Sequence, residues 1–464
     1  MTKELGVLPS VTQVLAHPDI EWLIEDLSRP VIVEWIREEL EQRRRILRIS
    51  SLAVSRESEL ERLLETIKRR ARDAQSRQLS RVINATGVIL HTGLGRAPLS
   101  DEAISRVVSC AQSTNVELDL VTGKRRQRGY QLLSKFQTLF ACEDATVVNN
   151  NAAATLLTLQ ALCRDREVII SRGQLIEIGG SYRLPDIFEL SGAILKEVGT
   201  TNRTRIEDYE RAIGPDTAAI LCVHPSNYRV IGFAETPPIE PLAKLAHRYG
   251  LLAIDDIGSG SAVSTERLGL PDEPTFLRSV QAGADVVLGS GDKLLGGPQS
   301  GIIVGRQTPL EKIREHPLSR VLRVDKLTLA ALSVTLDAYL RNQPDTVPTQ
   351  AMLSVSPDDL MVRARAIVDQ IGIMDDWFIN VFEDTSEVGG GSLPAVTLPT
   401  AVIGIAHRDR SADDLARTLR TGKIRIVPRN QKDQVCLDLR SVSPEDDNRL
   451  ALAVRLMAGR AGDR

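Results

Sequence analysis

Five cysteines in 464 residues (Cys110, Cys142, Cys163, Cys222 and Cys436) are too scattered, and odd in number, for a disulfide framework. No Cys-x-x-Cys pair or Cys/His cluster of zinc-ligand spacing joins them, so no structural metal is expected. No uninterrupted apolar run reaches the roughly 18 residues of a membrane span. The opening Met-Thr-Lys-Glu-Leu-Gly has an early acid and no apolar leader core, which predicts a soluble, cytoplasmic protein. An excess of one charge is also missing. Lys plus Arg is 58 against 61 Asp plus Glu, net −3, a balance that announces no polyanionic partner but can hide a basic segment. With 42% hydrophobic and 26% charged residues the chain is ordinary globular material, long enough for two or three domains.

Glycine is absent from about Val11 to Gln78, where only Pro18 and Pro30 interrupt the chain. Val31, Val33, Trp35, Ile36 and Leu40, then Ile46, Leu47, Leu52, Leu60, Leu63, Leu64 and Ile67, recur at helical spacing. Residues 1–41 carry three bases against nine acids, and residues 42–81 twelve bases against five acids. That basic half is either a solvated helix face or a phosphate-facing surface. From about 82 to 340 short β-rich runs alternate with helical stretches such as Ala152–Leu162, Ile206–Ala212 and Ile239–Arg248. This spacing predicts an α/β fold with a largely parallel sheet, whose chemistry collects at the strands' carboxyl ends. The rest mixes helices with short strands. We therefore expect a helical domain over 1–80, a large α/β domain over 81–345 and a smaller α/β domain over 346–464.

The unusual residues fall at those strand ends. Lys293 follows a buried-looking strand inside Gly289-Ser290-Gly291-Asp292-Lys293-Leu294-Leu295-Gly296-Gly297. Burial there depresses an amine's pKa, as a Schiff-base lysine requires, although a loop lysine beside a glycine-rich turn would look the same. Asp256, in Asp255-Asp256-Ile257-Gly258, closes an earlier strand. It can pair with a protonated pyridine nitrogen or simply form an Asx turn, and Asp255 faces the other side. Asn149-Asn150-Asn151-Ala152-Ala153-Ala154 runs from a strand end into a small-residue helix, where a phosphate can approach free amides. Phosphate cradle, strand-end Asp and strand-end Lys, in that order, are the pattern of a pyridoxal-phosphate site, and no Walker or dinucleotide glycine loop competes with it. Ser226 and Ser290 add hydroxyls beside that site. Arg96, Arg172 and the pair Arg320/Arg323, three apart as on one helix face, suit a small oxyanion or plain solvent.

On these strings the chain resembles the bacterial selenocysteine synthases, the L-seryl-tRNA(Sec) selenium transferases, pyridoxal-phosphate enzymes of the aspartate-aminotransferase fold type. The likeness runs nearly end to end, from Leu8-Pro9-Ser10-Val11 through Ile83–Val88, Val147–Ala154, Ser171–Gly180, Gly199–Thr204, Asp256–Ser261 and Ser290–Gln299 to Arg323–Lys326 and Gly390–Pro394. It implies fold type I with a mixed, mostly parallel seven-stranded sheet, and a transferase of selenocysteine biosynthesis. By the resemblance Lys293 holds pyridoxal 5'-phosphate, Asp256 pairs its ring nitrogen, and Asn150, Ala152, Ala153, Ser226 and Ser290 contact the cofactor. Arg96, Arg320 and Arg323 would line a selenophosphate pocket. The helical domain would grip tRNA(Sec), and subunits would form a homo-oligomeric ring with sites between neighbours. Separately from the resemblance, hydroxide is a poor leaving group that an acid must protonate, and Asp292 and His224 are both open to that role. Gly93, Pro225, the Gly123–Tyr130 loop and Val427-Pro428-Arg429 depart from the family pattern. Two other readings remain: a related lyase or transferase acting on a free amino acid or sugar acid, and a tRNA-binding protein without activity.

Overall fold

The computed structural model describes residues 7–49, 54–76, 79–180 and 182–459. The chain divides into two compact units, Met1–Val82 with Arg420–Arg425, and Ile83–Leu419 with Ile426–Arg464. Leu52 and the expected helix end at Gln78 lie outside the described residues.

The first unit contains helices Val11–Leu15, Pro18–Leu27, Arg29–Ile49 and Arg56–Ser76. Ser10 and Gln13 form a reciprocal capping box at the first, and Pro18 opens the second where its missing N–H costs nothing. Val14, Ile20, Ile32, Ile36, Leu40, Leu63 and Ile67 interlock as the core, while Ile46 is exposed. Much of the basic segment folds back onto the unit's own acids. Arg43 grips the buried Glu59 through two hydrogen bonds, Lys68 pairs with Asp19, and Arg70 with Glu38 at 2.7 Å. The Arg43 guanidinium holds the Glu59 carboxyl below its ordinary range. Arg44, Arg45, Arg48 and Arg69 face solvent.

The second unit is built on a seven-stranded sheet of β1 (Asp144–Val148), β2 (Glu167–Ser171), β3 (Ile194–Val198), β4 (Thr217–Val223), β5 (Leu252–Gly258), β6 (Val286–Ser290) and β7 (Gly301–Gly305). Their spatial order is β1-β7-β6-β5-β4-β2-β3. β7, which the strand pattern did not reveal, is antiparallel to both neighbours, and the other pairings are parallel. Side chains alternate between faces. Leu221, Ile254, Leu288 and Ile303 pack on one face with Ala154 and Leu157 of helix Asn151–Cys163, and with Phe188 and Leu310. On the other face Val287, Ile302 and Val304 meet Phe136, Phe276 and Leu332, and Ile220 and Ala253 meet Leu242 and Tyr209. Buried on both sides, these strands read as continuous apolar runs. A five-stranded sheet joins Ile83–Ala85, Ile426–Gln431, Gln434–Asp438, Thr397–His407 and Trp377–Glu387, so the first strand of the unit is held among its last ones.

Among the described residues no helix is long and apolar enough to cross a membrane, and no cluster of His, Cys, Asp and Glu could hold a metal ion.

Candidate active site

Strand parity decides which of two adjacent acids reaches the site. Asp256 shares the face of Ile254 and points toward helix Asn151–Cys163, whereas Asp255 shares the face of Ala253 and interacts with Ser279 and Cys222. Burial pushes the Asp255 carboxyl up to about 6. Asp256 is buried too, and three donors converge on it. Asn151 Nδ2 donates to Oδ1 at 2.8 Å, Thr155 Oγ1 to Oδ2 at 2.9 Å, and the Gly258 amide to Oδ1 at 3.1 Å. Burial raises its pKa, and these hydrogen bonds pull the other way. Asn151 and Thr155, i and i+4 on one helix, thus act as a two-pronged clamp.

Lys293 stands in the tight turn after β6 and is only 5% exposed. Among the described residues no carboxylate oxygen lies within 4 Å of its Nζ, which donates only to the Gly391 carbonyl at 3.3 Å. Desolvation first, and Arg96 second, lower its pKa. The turn is packed tightly against its neighbours. A Cβ on Gly260, held at φ +66°, would lie 1.9 Å from the Ser290 carbonyl oxygen, so only glycine fits where the segment after β5 passes β6.

Lys293 and Asp256 face one cavity of about 280 Å³, whose wall also includes Arg96, Asn150, Ala152, Ser226, Ser290 and Asp292. Asn150 caps the helix, its side chain accepting from the Ala153 amide at 2.8 Å. That amide is therefore already engaged, and Ala153 does not line the cavity. Arg96, at φ +60°, donates from Nη1 to Asp292 Oδ2 at 2.9 Å, leaving its buried Nε without a partner. The Asn151 Oδ1 is likewise buried and unpartnered.

Arg320 and Arg323 lie elsewhere in this chain. They line a second cavity, of about 540 Å³, with Arg125, Arg126, Arg128 and Glu117. The helix Pro317–Val321 ends before Arg323, so the two do not project from one helix face. Arg323 instead bridges to Val148 in extended backbone. Arg172 is tied to Glu197 at 2.8 Å and lines neither of these cavities. Of the residues sequence reasoning missed, Thr155 and Tyr182 matter most. Tyr182 lines the lysine cavity, and burial together with the Asp256 charge holds its phenol well above the usual range.

A buried, unpaired amine, a clamped carboxylate and the start of a 13-residue helix share one cavity. That donor set fits pyridoxal phosphate: an amine to bind the aldehyde, an anion for the ring nitrogen, and helix amides with the spare Arg96 Nε for anionic groups.

Comparison with known proteins agrees with the geometry. The family described as L-seryl-tRNA selenium transferase matches residues 82–443, and one described as selenocysteine synthase N terminal matches residues 5–44. The L-seryl-tRNA(Sec) selenium transferase of Alkaliphilus metalliredigens is 42% identical, over 95% of this chain and 96% of its own length. That of Aquifex aeolicus is 42% identical over 96% of each. Among solved structures, D-glucosaminate-6-phosphate ammonia-lyase superposes with a TM-score of 0.56 at 20% identity, over 84% of this chain and 99% of its own, a likeness of fold. The chain belongs to the L-seryl-tRNA selenium transferase family.

Proposed function

We propose that this protein converts L-seryl-tRNA(Sec) into L-selenocysteinyl-tRNA(Sec), with selenophosphate as the selenium donor. The observation that carries the reading is the buried, unpaired Lys293 amine sharing a cavity with the clamped Asp256, in a chain alike to the family over nearly its whole length. Lys293 would hold pyridoxal phosphate, Asp256 its ring nitrogen, Asn150 and Ala152 with Ser226 and Ser290 the remaining polar groups. When bound, the cofactor supplies an electron sink for the charge that develops at the seryl Cα.

The chain's own residues do the rest. The Lys293 amine, its pKa lowered by burial, would take the Cα proton. Asp256, fixed by Asn151 and Thr155, presents its carboxyl group to the cavity. Arg96 presents its unpartnered Nε to an incoming anion, and Asp292 holds its guanidinium in place. Arg320 and Arg323, remote from Lys293 within one chain, would complete the donor pocket from a neighbouring copy in a homo-oligomeric ring. Residues 1–80 would bind the tRNA through the solvent-facing Arg44, Arg45, Arg48 and Arg69, residues 81–345 would carry the cofactor, and residues 346–464 would form the smaller α/β domain. A tRNA-dependent reaction of this kind belongs in the cytoplasm.

The test is incubation of the holoenzyme with seryl-tRNA(Sec) and, separately, with free serine, each with selenophosphate. Borohydride reduction and peptide mass spectrometry would accompany it. The expected result is selenocysteinyl-tRNA from the first mixture only, with the reduced cofactor on Lys293. Product from free serine alone, or label on another lysine, overturns the proposal.

A further inference from the structure

Loss of hydroxide from the seryl Cβ needs a proton donor, and the two groups that the sequence offers for it, Asp292 and His224, both line the cavity. Asp292 is committed: its Oδ2 accepts from Arg96 Nη1 at 2.9 Å, so this carboxyl is spent on holding the guanidinium.

His224 stands differently. It follows β4, its backbone amide donating to the Asp256 carbonyl at 2.9 Å, which fixes it beside the Asp256 strand end. Its ring lies between the lysine cavity and a neighbouring cavity of about 380 Å³, lining both. The buried Nε2 has no hydrogen-bond partner, and 3.3 Å away is Oε2 of Glu273, also buried and unpartnered. Glu273 is 2% exposed and is held from three sides. Its Oε1 accepts from the Leu393 amide at 3.0 Å, its own amide donates to Thr265 Oγ1 at 3.1 Å, and Thr265 donates on to the Pro271 carbonyl. The segment Glu273 anchors also supplies the Gly391 carbonyl that meets Lys293 Nζ. It is an uncommon backbone, with Gly389, Gly390, Gly391, Leu393 and Ala395 all in the left-handed region. Asp255, behind the strand, is the other acid whose charge reaches His224.

Resting on the function proposed above, the geometry points to His224 as the general acid of water loss and to Glu273 as the residue that positions it. A carboxylate 3.3 Å from an imidazole nitrogen fixes the orientation of the ring. In the step itself, Lys293 removes the Cα proton and that electron pair becomes the Cα–Cβ double bond. The Cβ–Oγ bond breaks with its pair on oxygen, His224 gives Oγ a proton, and water departs. The neutral imidazole regains its proton from solvent through the neighbouring cavity. Glu273 touches no reacting atom.

The experiment separates the two proton transfers. Holoenzyme and seryl-tRNA(Sec), without selenium donor, are incubated in deuterium oxide. Deuterium at Cα of the recovered serine reports Lys293, and pyruvate released after ester cleavage reports elimination. His224→Ala should lower elimination about 100-fold, the scale of a lost general acid, while exchange stays within about threefold. Added imidazole, small enough for the neighbouring cavity, should restore elimination. Glu273→Gln should show the same split more weakly, and Glu273→Asp should recover part of it. Equal loss of exchange and elimination in His224→Ala, absence of rescue, or unchanged elimination would overturn the assignment while leaving the proposed function standing. Wild-type enzyme that neither exchanges nor dehydrates seryl-tRNA(Sec) would overturn both.

Discussion

In the helical unit the buried Glu59 meets Arg43 and Arg62 side by side; in the α/β unit the equally buried Lys293 meets no carboxylate oxygen within 4 Å among the described residues. The first arrangement satisfies its charge locally and ties helix Arg29–Ile49 to helix Arg56–Ser76. The second leaves an amine poorly solvated and available, a cost in stability tolerated where chemistry needs a group free to lose its proton. Asp256 stands between the two extremes, clamped by neutral donors that stabilise its charge without cancelling it. Ion pairs here mark where the fold is fastened, and uncompensated buried charge marks where it works.

The largest effect that could break this contrast is at Lys293. Lys293→Ala should lower kcat/KM by about a thousandfold or more and abolish the visible absorbance of the holoenzyme. In the apoenzyme, Lys293→Met should raise the melting temperature at neutral pH. The buried amine has a lowered folded pKa, so its penalty is full below the folded value and fades as pH rises toward the unfolded one. An unchanged or lower melting temperature would mean the amine is not an uncompensated charge.

Next in size is Glu59→Ala, expected to cost about 3 kcal/mol in urea denaturation by stranding Arg43. A loss under 0.5 kcal/mol would place that pair among ordinary surface bridges. Asp255→Asn should act by pH. With a folded pKa of about 6, above the usual 3.8, the native acid is favoured at low pH, and that stability is lost as pH rises between those values. The substitution should therefore gain about 2 kcal/mol at pH 8 relative to its effect at pH 3.5. A flat difference would refute the assignment of that pKa to burial. Smallest, Arg44→Ala, Arg45→Ala and Arg48→Ala together should weaken tRNA binding about tenfold and flatten its salt dependence, with stability within about 0.5 kcal/mol. Unchanged affinity would move the nucleic-acid contact off this face.

Sequence reasoning reached the parts of the site that are local in the chain. Lys293 follows one strand and Asp256 stands near the end of another, and the two-residue alternation of β5 puts Asp256 and Asp255 on opposite faces without any knowledge of the fold. The helix Asn151–Cys163 was placed within a residue at each end because its cap and small-residue start are neighbours in sequence. Contacts made across the fold were invisible. Asn151 and Thr155 reach Asp256 over a hundred residues away, Glu273 meets Leu393 and His224, and Gly391 covers Lys293. Arg320 and Arg323 show the converse error, since spacing by three suggests one helix face only while the helix continues, and this one stops at Val321. β7 escaped notice because a five-residue run framed by glycines resembles a turn until its partners are known.

That reversed strand also dictates when the catalytic chamber can exist. β1 lies at the sheet's edge, and its neighbour within the sheet is β7, Val148 opposite Gly301. While the nascent chain leaves the ribosome, β1 has no strand beside it in the sheet until Gly301 has emerged. The lysine at 293 is by then already made, so the sheet that gathers amine, acid and helix start is completed only after each of them has been synthesised.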